Sequence, residues 1–140
     1  MADFKLWKDR DQKRVDPTLF SVQAEAWARE LAAENSRNKR LNKRTQIRRF
    51  YDEVLRLDAE AKRAGDSINK QDQYANVVLP RLHMLIAKAA YAKGRELVSE
   101  GFVNFIKSGV TQSTEPEDLK MFADFFEAFM GFYRLFGPAN

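Results

Sequence analysis

The 140-residue sequence contains no cysteine, a single histidine, four prolines and six glycines. The absence of cysteine excludes a disulfide framework and any thiolate metal site. The one histidine, His83, has apolar neighbours along the chain and no second histidine or carboxylate at ligand spacing. We therefore interpret His83 as a packing residue rather than a catalytic base or metal ligand.

The chain also lacks a long hydrophobic run. Its most apolar stretch, FADFFEAFMGFYRLF, carries Asp124, Glu127 and Arg134 and is too short to cross a bilayer. The N-terminal residues MADFKLWKDRDQKR are charged throughout and have no apolar segment of the kind found in secretory signals. We expect a cytoplasmic protein without a membrane partner.

Motifs for chemistry are missing as well. The sequence has no Glu-x-x-His pair, no glycine-rich phosphate loop and no nucleophile motif. Acidic residues such as Asp52 and Glu53 are interleaved with basic ones at helix-neighbour spacing, which is typical of a solvated helix face. We expect no enzymatic activity, no catalytic residue, no metal site and no cofactor.

Helical periodicity is present nearly everywhere. With 44% hydrophobic residues, the chain can form one domain with its own core. Residues 1–15 are polar with isolated apolar positions and predict a flexible N-terminal arm. Residues 16–140 predict a single all-α domain, a compact bundle of about five helices.

The helix boundaries follow from capping signals and glycines. Asp16-Pro17 predicts the start of helix one, Pro80 predicts a kink or restart in helix three, and Thr114-x-x-Glu117 predicts a capping box for helix five. The predicted helices cover about 17–34, 45–64 (ending at Gly65), 74–95, 96–107 (ending near Gly109) and 115–136.

Helix five has a continuous apolar seam. Leu119, Phe122, Phe126, Phe129, Tyr133 and Phe136 are three and four residues apart, and further aromatic residues widen the apolar surface. We expect Phe122, Phe126, Phe129 and Tyr133 to lie in the core or in a subunit interface.

Basic residues are concentrated before helix two. Between positions 37 and 49 the chain carries seven basic residues and no acidic one, although a helix N-terminus disfavours cations. A second cluster, Lys88, Lys93 and Arg95, surrounds Tyr91. These clusters are compatible with a solubilising face, but they also fit backbone contacts to nucleic acid, since no base-reading motif accompanies them.

Three segments resemble, in order, blocks of a known family. TQIRRFYDEV, LIAKAAYAKGRELV and EDLKMFADFFEAFMGFYRLFG are similar to the helical small subunit of type III-A CRISPR effector complexes, the Csm family. The resemblance covers about residues 42–137. It implies a non-catalytic, five-helix subunit present in several copies along a ribonucleoprotein filament that serves antiviral defence.

The resemblance also implies partners and contact residues. The partners would be guide (CRISPR) RNA, target RNA, other subunits of the effector complex and further copies of this chain. By position, Arg48 and Arg49 match the basic pair after Gln-Ile, and Arg95 matches the arginine of the Gly-Arg block. Proximity in sequence adds Lys43, Arg44, Lys88 and Lys93 to the expected RNA-binding residues.

Two alternatives remain open at the level of sequence. The chain could be a helical protein–protein adaptor whose phenylalanine-rich fifth helix docks on a partner while the basic faces are only solvated. Recognition of double-stranded DNA would require a recognition helix and dimer symmetry, and neither is visible in the sequence.

Overall fold

A computed structural model describes residues 4–63 and 69–140. Within these residues the fold is all-α, as predicted, and contains five helical runs and no β-strand. We number them in chain order. α1 joins a π-helical turn, Leu19–Gln23, to Ala24–Arg37; α2 is Arg44–Arg63; α3 runs through Lys70–Gln73, Tyr74–Val78 and Leu79–Gly94; α4 is Glu100–Gln112; α5 is Pro116–Phe136.

Helix α5 is the centre of the bundle. It packs against α1, α2 and α4, while α3 packs against α4 and α2. Its seam residues Phe122, Phe126, Phe129 and Tyr133 are fully buried, and so is Phe125 beside the seam. The aromatic rings pack against one another and against Phe105 of α4 in tilted and edge-on pairs, with centroids 4.9–6.0 Å apart. A helix that is apolar around most of its circumference must be covered on several sides.

The N-terminal segment belongs to this core, which differs from the expected flexible arm. Phe4 and Leu6 are buried, and the Phe4 ring lies 4.3 Å from Phe125. Farther along, Trp7 Nε1 and Arg10 Nη2 donate hydrogen bonds to the buried carboxylate of Asp118 at 2.9 and 2.7 Å. Two apolar side chains in a charged stretch carry too weak a periodicity to predict this docking.

Several helix ends differ from their predicted positions. The capping box of α5 uses Glu115 and Asp118, one residue beyond Thr114 and Glu117. Helix α4 begins after Ser99, whose hydroxyl accepts a hydrogen bond from Phe102 N at 3.2 Å, and it continues through Gly109 to Gln112. The predicted stop at Gly65 lies outside the described residues.

Pro80 does not interrupt α3. The π-helical stretch Tyr74–Val78 directly precedes the proline-containing turn. A wider turn accommodates a residue that lacks an N–H and crowds the carbonyl four residues earlier. The run is therefore continuous through Pro80, so the helix does not restart there, and the kink stays a prediction.

His83 lies on the exposed side of α3, so its interpretation as a packing residue was wrong. The buried positions of this helix are Leu82, Leu85, Ala89 and Ala92. Residues adjacent in a helical sequence point about 100° apart, so apolar sequence neighbours do not imply a shared face.

Candidate nucleic-acid interface

Two chain segments bring the predicted basic clusters next to each other. The loop between α1 and α2 lies against the turn that follows α3: Asn42 N donates to Leu97 O at 3.0 Å, and Arg40 Nη1 lies 3.0 Å from Glu96 Oε2. Lys43 in the loop and Arg95 in the turn are therefore on neighbouring segments.

Asn42 holds this junction in place. Its backbone has φ of 60°, a left-handed conformation that asparagine tolerates better than most residues. Its buried side chain donates to Ser99 Oγ and accepts from Ser99 N, both at 2.9 Å, and its carbonyl accepts a hydrogen bond from the Tyr133 hydroxyl. Basic side chains next to Asn42 therefore project from a loop that is held by buried hydrogen bonds.

The two basic clusters also meet at a second place, a shallow groove between α2 and α3. Arg49 from α2 and Lys88 from α3 line it, with Phe50, Glu53 and Leu85 as the remaining walls. The helices run antiparallel there, since Arg81 of α3 pairs with Glu60 of α2 at 3.4 Å. The antiparallel arrangement explains how residues 39 positions apart in sequence share one site.

Two of the three charged residues that line the groove are basic, and Glu53 is the acidic one. Glu53 accepts hydrogen bonds from Arg56, which lower the pKa of Glu53, and the charges of Arg56, Lys88 and Arg81 lower it further against an opposing effect of burial. Glu53 is therefore ionised at neutral pH and is already paired with Arg56. Arg49 and Lys88 line the same groove, and neither forms an ion pair among the described residues.

Five of the seven expected RNA-binding residues are exposed cations without an ion pair in the described part of the chain. They are Lys43, Arg49, Lys88, Lys93 and Arg95. Arg95 instead lies over the ring of Tyr91, with its guanidinium carbon 5.8 Å from the ring centroid. Cations without an ion pair are available to an anionic partner without first leaving a carboxylate.

The other two residues, Arg44 and Arg48, are engaged within the chain. Arg44 is half-buried and its Nη2 donates to Ala139 O at 2.6 Å. Arg48 Nε lies 3.7 Å from Asp52 Oδ1 one turn along α2, and both side chains are mostly exposed. Arg44 thus has a structural role near the start of α2, and Arg48 is partly neutralised.

Lys93 does not share the groove with Lys88. The two positions are five residues apart, which is about 140° around a helix. Lys88 and Arg95 are seven residues apart and lie on nearly the same face. The angle of about 100° per residue would have placed Lys93 on a different helix face from Lys88 and Arg95, and this could be worked out from the sequence alone.

Arg56 and Arg81 lie near the groove, since their charges lower the pKa of Glu53, and the sequence analysis did not include them among the RNA-binding residues. Both are exposed, and both are paired with carboxylates, Glu53 and Glu60. The spacing of Arg81, Lys88 and Arg95, seven residues each, was a usable signal that they share one face of α3. The pairing across helices was not readable from a single sequence.

Within residues 4–63 and 69–140, no cluster of histidine, aspartate or glutamate side chains is arranged to hold a metal ion. Over the same residues, no helix combines the length and the hydropathy that a bilayer crossing requires. The basic surface is the feature that remains to be explained.

Comparison with known families decides the assignment. The family model described as Csm2 Type III-A matches residues 17–139. The chain belongs to the Csm2 family. Searches found no curated protein and no solved structure that matches it. Membership in the Csm2 family makes this chain a subunit of a type III-A CRISPR effector complex, together with other subunits, as the resemblance implied.

The match includes the whole helical bundle and begins after the N-terminal segment. Both basic surfaces, the loop–turn junction and the groove, therefore lie within the matched residues. The docked segment from Phe4 to Val15 is outside the match.

Proposed function

We propose that this Csm2-family chain is a non-catalytic small subunit that lines the effector filament and holds the guide–target RNA duplex through its sugar–phosphate backbone. The contacts are made by Lys43, Arg49, Lys88, Lys93 and Arg95, and more weakly by Arg48. The assembly acts in antiviral defence in the cytoplasm and contains further copies of this chain.

The observation that carries this proposal is the meeting of Arg49 and Lys88 in one groove. The two cations come from different helices and both lack a carboxylate partner in the described residues. Like charges that line one groove repel each other, more strongly near a protein surface than in bulk water. A polyanion that bridges them removes that repulsion.

Backbone contacts fit the rest of the surface. The exposed cations are distributed over a groove, a loop and a turn rather than along one helix that could enter a major groove. In a guided complex, base pairing between guide and target supplies sequence specificity, and protein cations need only hold the strands. The proposal therefore requires no base-reading side chain.

The first prediction concerns the groove cations. Arg49→Ala and Lys88→Ala should each weaken RNA binding similarly for unrelated sequences. Each should also flatten the logarithmic salt dependence of binding by about 0.7 for a single strand, because one phosphate contact is lost. Fluorescence anisotropy with labelled RNA, repeated over a range of salt concentrations, measures both quantities.

Two variants control this experiment. Lys120→Ala removes an exposed lysine of α5 that is already paired with Asp124 at 2.8 Å, and it should leave affinity and salt dependence unchanged. Arg48→Ala should have a smaller effect than Arg49→Ala because Asp52 already compensates Arg48. Equal losses for Lys120→Ala and Arg49→Ala would mean that only net charge matters and would contradict a specific site.

The adaptor alternative loses its main feature in this fold. It required the phenylalanine seam of α5 to dock on another protein, but Phe122, Phe126 and Phe129 are buried within this chain. Opening the bundle to present them would expose a large apolar area, and exposing apolar surface to water costs about 25 cal/mol per Å². Contacts with other subunits must therefore use surfaces other than the seam.

A further inference from the structure

The exposed face of α3 carries alternating basic and apolar residues. Arg81, Met84, Lys88, Tyr91 and Arg95 are spaced by three or four positions and form a single stripe. Met84 is 54% exposed and Tyr91 is 68% exposed. Arg81 is paired with Glu60, whereas Lys88 and Arg95 form no ion pair among the described residues.

Tyr91 differs from the other tyrosines of this chain. Tyr74 and Tyr133 are buried and donate hydrogen bonds to Ser113 O and Asn42 O, and Tyr51 packs against the ring of Phe126 at 5.3 Å. The Tyr91 hydroxyl has no hydrogen-bond partner among the described residues. Packing within the subunit therefore does not account for an aromatic residue at this position.

The surroundings of Tyr91 leave its ring accessible. Ala87 and Ala90 beside it are small and exposed, and a Cβ atom added at Gly94 would meet no other atom within 4 Å. Arg95 lies over the ring at 5.8 Å, which is loose compared with the 3.9 Å between Arg29 and the Phe136 ring. A flat ligand can therefore reach the exposed ring, where Arg95 is the side chain that lies over it.

We propose that Tyr91 is a stacking platform for an unpaired base of RNA, with Lys88 and Arg95 binding the phosphates on either side of that nucleotide. This inference rests on the proposed function and adds a residue that contacts bases without reading their sequence. Exposed aromatic rings flanked by cations are the usual elements of single-strand binding, because every base has a π-face.

The alternation of charge argues against a protein partner for this stripe. A helix packed on Met84 and Tyr91 would also cover Lys88 and Arg95, and burying an unpaired cation costs several kcal/mol. A single RNA strand satisfies both kinds of side chain, since its bases cover the ring and its phosphates pair with the cations. The observations therefore favour RNA.

The test compares single-stranded and duplex RNA of equal length. Tyr91→Ala should lower the affinity for single-stranded oligo(U) and oligo(A) about 5- to 140-fold, the range for loss of one stacked base. The salt slope should stay the same, since no phosphate contact is lost. Affinity for the duplex should not change, because its bases are already stacked inside.

Three further variants make the result specific to stacking. Tyr91→Phe keeps the ring and should bind like the wild type, whereas Tyr91→Leu keeps apolar surface without a π-face and should bind like Tyr91→Ala. Arg95→Ala should flatten the salt slope, which Tyr91→Ala should not. All four side-chain changes are at exposed positions, so the fold should tolerate them.

The outcomes separate this inference from the proposed function. If the Arg49 and Lys88 variants lose salt-dependent binding but every Tyr91 variant binds single strands like the wild type, the stacking inference is wrong and the proposed function stands. If Tyr91→Ala then lowers incorporation into the effector complex, the stripe is a protein contact. If the wild type shows no salt-dependent RNA binding, both proposals are wrong.

Discussion

Gly109 has no room for a side chain because α4 and α5 approach closely at this point. A Cβ atom at position 109 would lie 2.1 Å from Cε1 of Phe122, whose ring is fully buried. Gly109→Ala therefore forces the ring of Phe122 to move within a packed aromatic core. We expect a loss of about 1–3 kcal/mol in the free energy of unfolding, measured by urea denaturation.

Gly131 provides the matched control at the same scale. It lies inside α5, and a Cβ atom there would meet nothing within 4 Å. Gly131→Ala should stabilise the protein by about 0.5–1 kcal/mol, since alanine costs less backbone entropy in a helix. A Gly109→Ala variant as stable as Gly131→Ala would show that the two helices are farther apart than described.

At the scale of elements, the N-terminal segment differs most from its prediction, since it packs in the core instead of forming a flexible arm. Phe4 lies edge-on to Trp27 at 5.8 Å and close to Phe105 and Phe125. Phe4→Ala should therefore cost about 3–5 kcal/mol in the free energy of unfolding, as for a buried phenylalanine. Thermal or urea unfolding measures the change.

Phe20 is the control for this prediction because it is also near the N-terminus but is 38% exposed. Phe20→Ala should change the free energy of unfolding by roughly 1 kcal/mol or less. Similar small effects of both substitutions would restore the expectation of a flexible arm over residues 1–15.

At the scale of the whole molecule, two buried tyrosines make stability depend on alkaline pH. Burial raises the pKa of Tyr74 and of Tyr133 above the ordinary value of 10.0, and nearby carboxylates add to the shift. The unfolded chain releases these protons from about pH 10 upward, while the folded chain retains them. The contribution of these two tyrosines to the free energy of unfolding is therefore fully present below about pH 10 and is lost as the pH rises above it.

The variant Tyr74→Phe/Tyr133→Phe tests this linkage. It should be less stable at neutral pH, because each hydroxyl donates a buried hydrogen bond worth about 1 kcal/mol, and its stability should fall less steeply above pH 10. Urea unfolding between pH 8 and 11 measures the slope. Parallel slopes for variant and wild type would mean that other groups control alkaline unfolding.

The sequence alone determined the helical class, the seam of α5 and the family blocks. These features depend on the three- and four-residue spacing of apolar side chains, which is local and survives without tertiary contacts. Local rules also explain the small errors. The capping box moved by one residue because Asp118 is the carboxylate that reaches the N-cap N–H of Glu115. Gly109 lies inside α4 rather than at its end, and its lack of a side chain leaves room for the ring of Phe122.

Only the tertiary structure decided which basic residues are available and which are engaged. Arg44 and Arg49 are five residues apart, yet Ala139 O accepts from Arg44 while Arg49 faces Lys88 across a groove. Likewise, Phe4 and Tyr91 are both aromatic residues near basic ones, and one is buried while the other is exposed. Burial and pairing depend on which distant segments meet, and a single sequence does not encode those contacts in any local pattern.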